Sequence, residues 1–129
     1  MRILQPPGWP RPKGYANGVS AQGRTIFTAG IVGWNEREEF AVDLPGQFRQ
    51  LLLNILAILA EDGAGSEHIV RMTWYLVSRD DYVANIAEIG AIYRELFGRN
   101  YPAMAVVQVA ALVEPAALIE IETIAMVPD

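Results

Sequence analysis

Cysteine is absent from the sequence, and histidine occurs once, as His68, in 129 residues. Without cysteine the chain can form no disulfide, no thiolate metal site and no cysteine nucleophile. A single histidine with no cysteine does not supply the ligand set of a typical metal centre. We therefore expect no metal and no other cofactor, and we expect His68 to be structural or to face solvent.

Basic residues are also scarce. Ten lysines and arginines stand against 15 aspartates and glutamates, which gives a formal net charge of −5, and no basic cluster is longer than a pair. Proteins that bind nucleic acids carry a basic patch or stripe for the phosphate backbone. The composition therefore predicts that the chain has no nucleic-acid partner.

Long hydrophobic runs are missing as well, although hydrophobic residues make up 52% of the chain. The longest run, residues 51–60, is interrupted by Asn54 and is shorter than the roughly 20 apolar residues that span a bilayer. No apolar signal segment is visible near residue 1, so we expect no membrane partner and a cytoplasmic location. The apolar content is sufficient for one domain over residues 1–129, and its excess suggests surface buried against other subunits.

Proline and glycine divide the first half of the chain into predicted elements. Four prolines in residues 1–14 indicate an extended N-terminal arm. The β-prone runs 15–21 and 24–31 flank a Gln-Gly pair and predict a tight hairpin. Asp43 is a suitable N-cap, and the helix that it begins is expected to stop at Gly63.

The helix after Asp43 has one apolar stripe that should face the core. Two polar residues on the helix, Gln47 and Asn54, are either buried hydrogen-bonding groups or ordinary residues of its polar face, and we favour the second interpretation. The stripe consists of Leu44, Phe48, Leu51, Leu52, Ile55 and Leu59.

The second half of the chain contains three strands and one helix. A strand is predicted over residues 69–77, and a helix runs from a cap at Ser78 to Gly98. Residues 104–112 and 118–126 are β-rich and are predicted to pair as an antiparallel hairpin. The order β-β-α-β-α-β-β predicts an α+β fold with two helices on one face of a mixed sheet.

Side-chain alternation assigns faces to these strands. Glu120 and Glu122 fall on one face of the last strand, where carboxylates must meet water, bind a partner or take part in chemistry. Met104 and Val106 are expected to point towards the same side as Glu120. In the strand over 69–77, the predicted apolar face consists of Val70, Met72, Trp74 and Leu76.

The chain contains a series of short motifs: Gly14-Tyr15, Phe27-Thr28-Ala29-Gly30, Gln47 through Asn54, Gly63-Ala64-Gly65, residues 70–76, Pro102-Ala103, and Ile119 through Ala125. In their order and spacing, these motifs resemble the RidA/YjgF family, which is also called the endoribonuclease L-PSP family. No single motif is decisive, but together they run nearly end to end. The resemblance implies a chorismate-mutase-like fold and a homotrimer with a central barrel and a cleft at each subunit interface.

The resemblance also implies a chemistry. In the deaminating branch of the family, the clefts hydrolyse imines and enamines such as 2-aminoacrylate to keto acids and ammonia. The first glutamate of a Glu-x-Glu pair holds or activates water, and a tyrosine near the amino terminus lines the pocket. Carried over to this sequence, Glu120 is the catalytic residue, and Tyr15, Gly30 and Ile31 line the pocket.

Three positions depart from the family pattern. Met104 stands where the deaminating branch has a carboxylate-binding arginine, Val106 stands where many members have cysteine, and Ile31 stands where glutamine is common. Loss of the arginine removes both donors and the charge, about 2–5 kcal/mol of anion binding at a buried site. We therefore predict poor 2-aminoacrylate hydrolysis and a larger, more apolar small-molecule ligand beside Met104 and Val106.

Two functions remain open on the sequence alone. One is hydrolysis of a bulkier imine or enamine, of which an aminomuconate-like compound is one option, with Glu120 as the acid/base. The other is a non-catalytic ligand-binding or regulatory trimer in which Glu120 and Glu122 only satisfy neighbouring polar groups. Ribonuclease activity is the weakest reading because the sequence has no histidine–lysine constellation. The candidate cations for a substrate carboxylate are Arg11, Lys13, Arg24 and Arg71.

Overall fold

The chain was analysed as a computed structural model that describes all residues, 1–129. A 3₁₀ turn, Ser66–His68, precedes the fifth strand. None of the helices combines the length and the apolar character needed to cross a bilayer. The remaining elements are β1 (Arg2–Ile3), β2 (Val19–Ser20), β3 (Arg24–Phe27), β4 (Ile31–Val32), α1 (Leu44–Ala60), β5 (Ile69–Leu76), α2 (Arg79–Ala84), α3 (Ile86–Phe97), β6 (Ala103–Gln108) and β7 (Ile119–Val127).

The main sheet has the strand order β3-β7-β5-β6, and β4 also pairs with β7. The β5–β6 pair is parallel and the other pairs are antiparallel. Side chains of α1 and α3 join those of β5 and β7 in one hydrophobic core. The predicted α+β class, with helices on one face of a mixed sheet, is confirmed.

Both predicted hairpins are wrong. β2 pairs with β1 of the N-terminal arm rather than with β3, and β3 instead pairs with β7. At the other end of the chain, β6 and β7 are not neighbours, because β5 lies between them. Short β-prone runs reveal strands but do not specify their partners, since pairing is fixed by contacts remote in sequence.

α1 follows the prediction closely. The Asp43 side chain accepts a hydrogen bond from the backbone N–H of Gly46, which caps the first turn. The helix ends at Ala60, and Gly63 takes a positive φ of 71° in the turn that follows. All six residues of the predicted apolar stripe are buried, so the stripe is confirmed as the helix face that covers the sheet.

The two polar residues of α1 both hydrogen-bond to backbone carbonyls, and Gln47 is buried while Asn54 is half-buried. This corrects the favoured prediction that they are ordinary residues of the polar face. Gln47 is 2% exposed. Its amide donates to the carbonyls of Ala41 and Ala116 and accepts from the N–H of Leu118. The Asn54 amide donates to the carbonyls of Val32 and Trp34. Helical periodicity did not indicate the burial of Gln47 because a polar residue with satisfied partners can occupy a buried position.

Two local irregularities also differ from the prediction. A register shift lies between Ile69 and Arg71 of β5, so Ile69 is fully buried in place of Val70. The single helix predicted after Ser78 is divided into α2 and α3 at Asn85. The Asn85 side chain donates to the carbonyl of Asp81, and such local side-chain bonds compete with helix continuation.

Candidate functional site

Glu120 and Glu122 lie on the sheet face away from the helices, as the alternation predicts. They are opposite Tyr75 and Thr73 of β5, while the intervening Ile121 is fully buried on the helix side. The two carboxylates therefore belong to the face that no element of this chain covers.

The two glutamates differ in what they contact. The Tyr75 hydroxyl donates to Oε1 of Glu122 at 2.6 Å. This hydrogen bond raises the pKa of Tyr75 above its ordinary value, and the nearby charges of Glu122 and then Glu120 add to the rise. Glu120 is half-buried and forms no side-chain hydrogen bond or ion pair within the chain. Of the two carboxylates, Glu120 is the one left free for a water molecule or a ligand.

Gly30 lies directly against the Glu120 carboxylate. A Cβ atom built on Gly30 would come within 2.5 Å of Glu120 Oε2, and the three atoms nearest to it all belong to the Glu120 side chain. The backbone at Gly30 therefore passes close to the Glu120 side chain. Ile31, in contrast, is paired with Ile121, and its side chain packs against the core.

A cavity of about 590 Å³ lies on the opposite side of the sheet, between β5, β6 and the helices α2 and α3. Tyr15, Met104 and Val106 line it together, and Trp74 and Tyr93 contribute aromatic walls. The volume is within the range of sites for drug-sized ligands, about 300–1,000 Å³.

Two tyrosines of this cavity, Tyr82 and Tyr93, have pKa values raised above the ordinary tyrosine value. Burial raises the pKa of Tyr82, and burial followed by the neighbouring Tyr101 raises the pKa of Tyr93 far above its ordinary value. Tyr93 donates its hydroxyl proton to the carbonyl of Asn100 at 2.5 Å and stacks on Tyr101 at a centroid distance of 5.4 Å. The indole N–H of Trp74 is buried without a partner within the chain.

The predicted site residues thus fall into two groups on opposite faces of the sheet. The expectation that Met104 and Val106 point towards Glu120 is wrong. In the parallel β5–β6 register, Met104 is beside Met72 and Val106 is beside Trp74, and both partners are buried on the helix side. The prediction failed because it treated β6 and β7 as adjacent strands. Within one chain, the cavity residues and Glu120 therefore do not meet.

The candidate cations are spread over several places. Arg24 is paired with Asp62, Arg71 lines a small cavity of about 170 Å³ beside Glu122, and Arg11 lies in a separate cavity near the N-terminal arm. Of the four, only Lys13 lines the large cavity.

Sequence reasoning missed several groups of the large cavity, above all Arg94 of α3, which lies at its edge. The available signal was helical spacing, because residues three and four apart share a face. The other cavity groups that were missed are Trp74, Tyr82, Ile86, Ile89, Gly90, Tyr93 and Tyr101.

No three metal-ligating side chains come together anywhere in the described chain.

These features define a small α+β protein with an aromatic cavity behind its sheet and a free glutamate on the open face. Comparison with known proteins identifies the family. The family model for endoribonuclease L-PSP matches residues 10–127, and the chain belongs to this family, which is also called RidA/YjgF.

Individual relatives match over nearly their whole length. The RutC family protein slr0709 of Synechocystis is 32% identical over 132 residues, 99% of this chain and 98% of the relative. A 2-iminobutanoate/2-iminopropanoate deaminase of Dermatophagoides farinae is 28% identical, covering 98% and 96% of the two chains. The crystal structure of the Rid-family protein YyfB from Yersinia pestis has a TM-score of 0.82 at 34% identity, covering 98% of both chains.

Proposed function

We propose that the chain is a RidA-like hydrolase that deaminates an imine or enamine bearing a larger, more apolar group than 2-aminoacrylate. The observation that carries this proposal is that one chain has both a free carboxylate and a ligand-sized cavity. Glu120 is half-buried against Gly30 with its side chain unpaired, and the aromatic cavity of about 590 Å³ is lined by Tyr15, Met104 and Val106. The name of the mite relative, an imine deaminase, supports the same reaction type.

The site is completed between two copies of the chain, in a homotrimer. The open sheet face supports such an assembly: Phe27 is 71% exposed on it, directly opposite Ile124, and large exposed apolar groups on one face favour self-association. With the open face of one subunit against the cavity mouth of the next, Glu120 reaches a ligand held by the neighbour's Tyr15 and Met104.

The chemistry requires a positioned water and a group that moves its proton. Glu120 accepts a proton from water, and the water oxygen adds to the imine carbon while the nitrogen is protonated. The C–N bond of this adduct then breaks, ammonia leaves, and the remaining hydroxyl loses its proton to give the carbonyl. The net reaction converts one imine and one water into one ketone and one ammonia. The aromatic cavity binds the apolar group and excludes bulk water from the reacting carbon.

The direct test is hydrolysis of a graded series of imines, generated by an amino-acid oxidase and trapped competitively by semicarbazide. The wild type is expected to hydrolyse imines of bulky amino acids at least about tenfold faster than the smallest ones, because small substrates leave the cavity unfilled. Met104→Arg places a cation in the cavity and is expected to raise the rate with 2-aminoacrylate by about tenfold or more.

Equal, background rates across the series would contradict the enzyme and favour the ligand-binding trimer. A well-folded Met104→Arg variant without any gain on 2-aminoacrylate would count against placing Met104 at the carboxylate-binding position.

Gly30→Ala tests the placement of the Glu120 carboxylate without changing it chemically. The new methyl group would overlap the carboxylate, and Gly30 has no positive φ, so the backbone accepts alanine. We expect kcat to fall by about tenfold or more, since small displacements of a catalytic group are costly, with little change in the melting temperature.

Gly65→Ala is the matched control, because its Cβ would also come within 2.5 Å of a glutamate oxygen, that of Glu67, away from the site. Wild-type kcat in Gly30→Ala, or an equal loss in both variants, would contradict the assigned role of Gly30.

A further inference from the structure

The charged residues of the large cavity are all of one sign. Lys13 and Arg94 line it, and no aspartate or glutamate does, although acidic residues outnumber basic ones by 15 to 10 in the chain. Neither cation forms an ion pair or a side-chain hydrogen bond within the chain. The cavity therefore favours an anionic group on its ligand.

The walls of the same cavity are aromatic. Tyr15, Trp74, Tyr82, Tyr93 and Tyr101 all line it, and their rings offer faces and edges for offset-stacked or edge-to-face contacts with a planar ligand. A three-carbon acid would leave most of the approximately 590 Å³ empty, and a poorly filled pocket gains little binding energy from apolar contact.

Gly90 lies where the cationic and the aromatic parts of the cavity meet. It lines the cavity one helical turn before Arg94, and a Cβ atom built on it would contact only Nη1 of Arg94, at 3.3 Å. The guanidinium therefore lies over the glycine at the cavity wall. A planar group can lie beside this bare stretch of α3 with its anion within reach of Arg94.

We propose that Arg94, assisted by Lys13, holds the ligand carboxylate that Met104 is unable to bind, and that the substrates are carboxylates carrying an aromatic ring. This assignment rests on the proposed function for the reaction and extends it to the substrate class. It places the anion beside α3 instead of at the start of β6. Arginine suits this role because its planar, forked donors match a carboxylate.

The test is calorimetric binding of two stable probes, indole-3-propionate and its neutral amide, to the full-length protein. The carboxylate is expected to bind about tenfold more tightly than the amide at low salt, and the difference should shrink at high salt because the cations are exposed. In the Arg94→Gln, Lys13→Gln double variant the two probes should bind within about twofold of each other. Arg37→Gln, which removes a charge outside this cavity, should retain the wild-type difference.

Equal binding of acid and amide by the wild type, or an unchanged preference in the double variant, would overturn the proposal. Failure of this proposal is distinguishable from failure of the enzyme. Hydrolysis of bulky imines without any preference for the carboxylate probe would contradict the role of Arg94 and Lys13 but not the proposed enzyme activity. A carboxylate preference that the double variant loses, in a protein without imine hydrolysis, would support the anion site while contradicting the catalytic function.

Discussion

Glu120→Gln is expected to abolish imine hydrolysis while leaving the fold intact. Glutamine has nearly the same shape but cannot accept a proton from water, and a positioned general base contributes about 10²–10⁴-fold to rate. The Glu120 side chain has no hydrogen-bond partner within the chain, so the change removes no internal hydrogen bond. The rate is measured with the bulkiest imine that the wild type hydrolyses, alongside thermal unfolding and the mass of the assembly.

Glu122→Gln is the matched control for this variant, since it changes the neighbouring carboxylate on the same face. Glu122 accepts a hydrogen bond from Tyr75, so its replacement should alter stability slightly and leave kcat within about twofold. If Glu120→Gln retained turnover but lost the assembly, Glu120 would be a structural residue of the subunit interface, and the proposed mechanism would be wrong.

Gln47→Leu is expected to cause the largest loss of stability among conservative changes in α1. The Gln47 side chain satisfies the carbonyls of Ala41 and Ala116 and the N–H of Leu118. Leucine fills a similar volume but leaves these buried groups unpaired, and each such group costs about 1–3 kcal/mol. We expect the free energy of unfolding to fall by about 3–5 kcal/mol, measured by denaturant titration.

The same variant should also affect the site, because Leu118 leads directly into β7 and Glu120. The control is Gln22→Leu, in which an exposed glutamine without a side-chain hydrogen bond undergoes the same chemical change. If the free energy of unfolding of Gln47→Leu fell by less than about 1 kcal/mol, water would be replacing the lost hydrogen-bond partners. The hydrogen bond between Gln47 and Leu118 would then not hold β7 in place.

Local sequence patterns predicted the parts of the fold that depend on local spacing. The stripe of α1 and its cap at Asp43 follow from helical periodicity and capping chemistry, and the shared face of Glu120 and Glu122 follows from strand alternation. The bulge near Val70 and the break between α2 and α3 at Asn85 were not predicted. Each depends on a single irregular residue, which a periodic sequence pattern does not indicate.

Several residues of the candidate site were predictable from the sequence, but the side of the sheet on which each one lies was not. Motif resemblance selected Glu120, Tyr15 and Met104, but their faces depended on which strands are neighbours. Because β6 pairs in parallel with β5 and not with β7, the residues expected in one pocket lie on opposite sides of the sheet. Strand order is a non-local property, and alternation along one strand cannot supply it.

In the proposed trimer, each site combines the cavity of one subunit with Glu120 of another. This arrangement is tested by mixing two inactive variants: Glu120→Gln retains an intact cavity, and Gly90→Leu, which fills the cavity beside Arg94, retains Glu120. After subunit exchange, confirmed by mass, random trimers should recover about a quarter of the wild-type activity on bulky imines, because one interface in four combines the two intact halves. Mixed trimers that remain inactive would contradict the shared site.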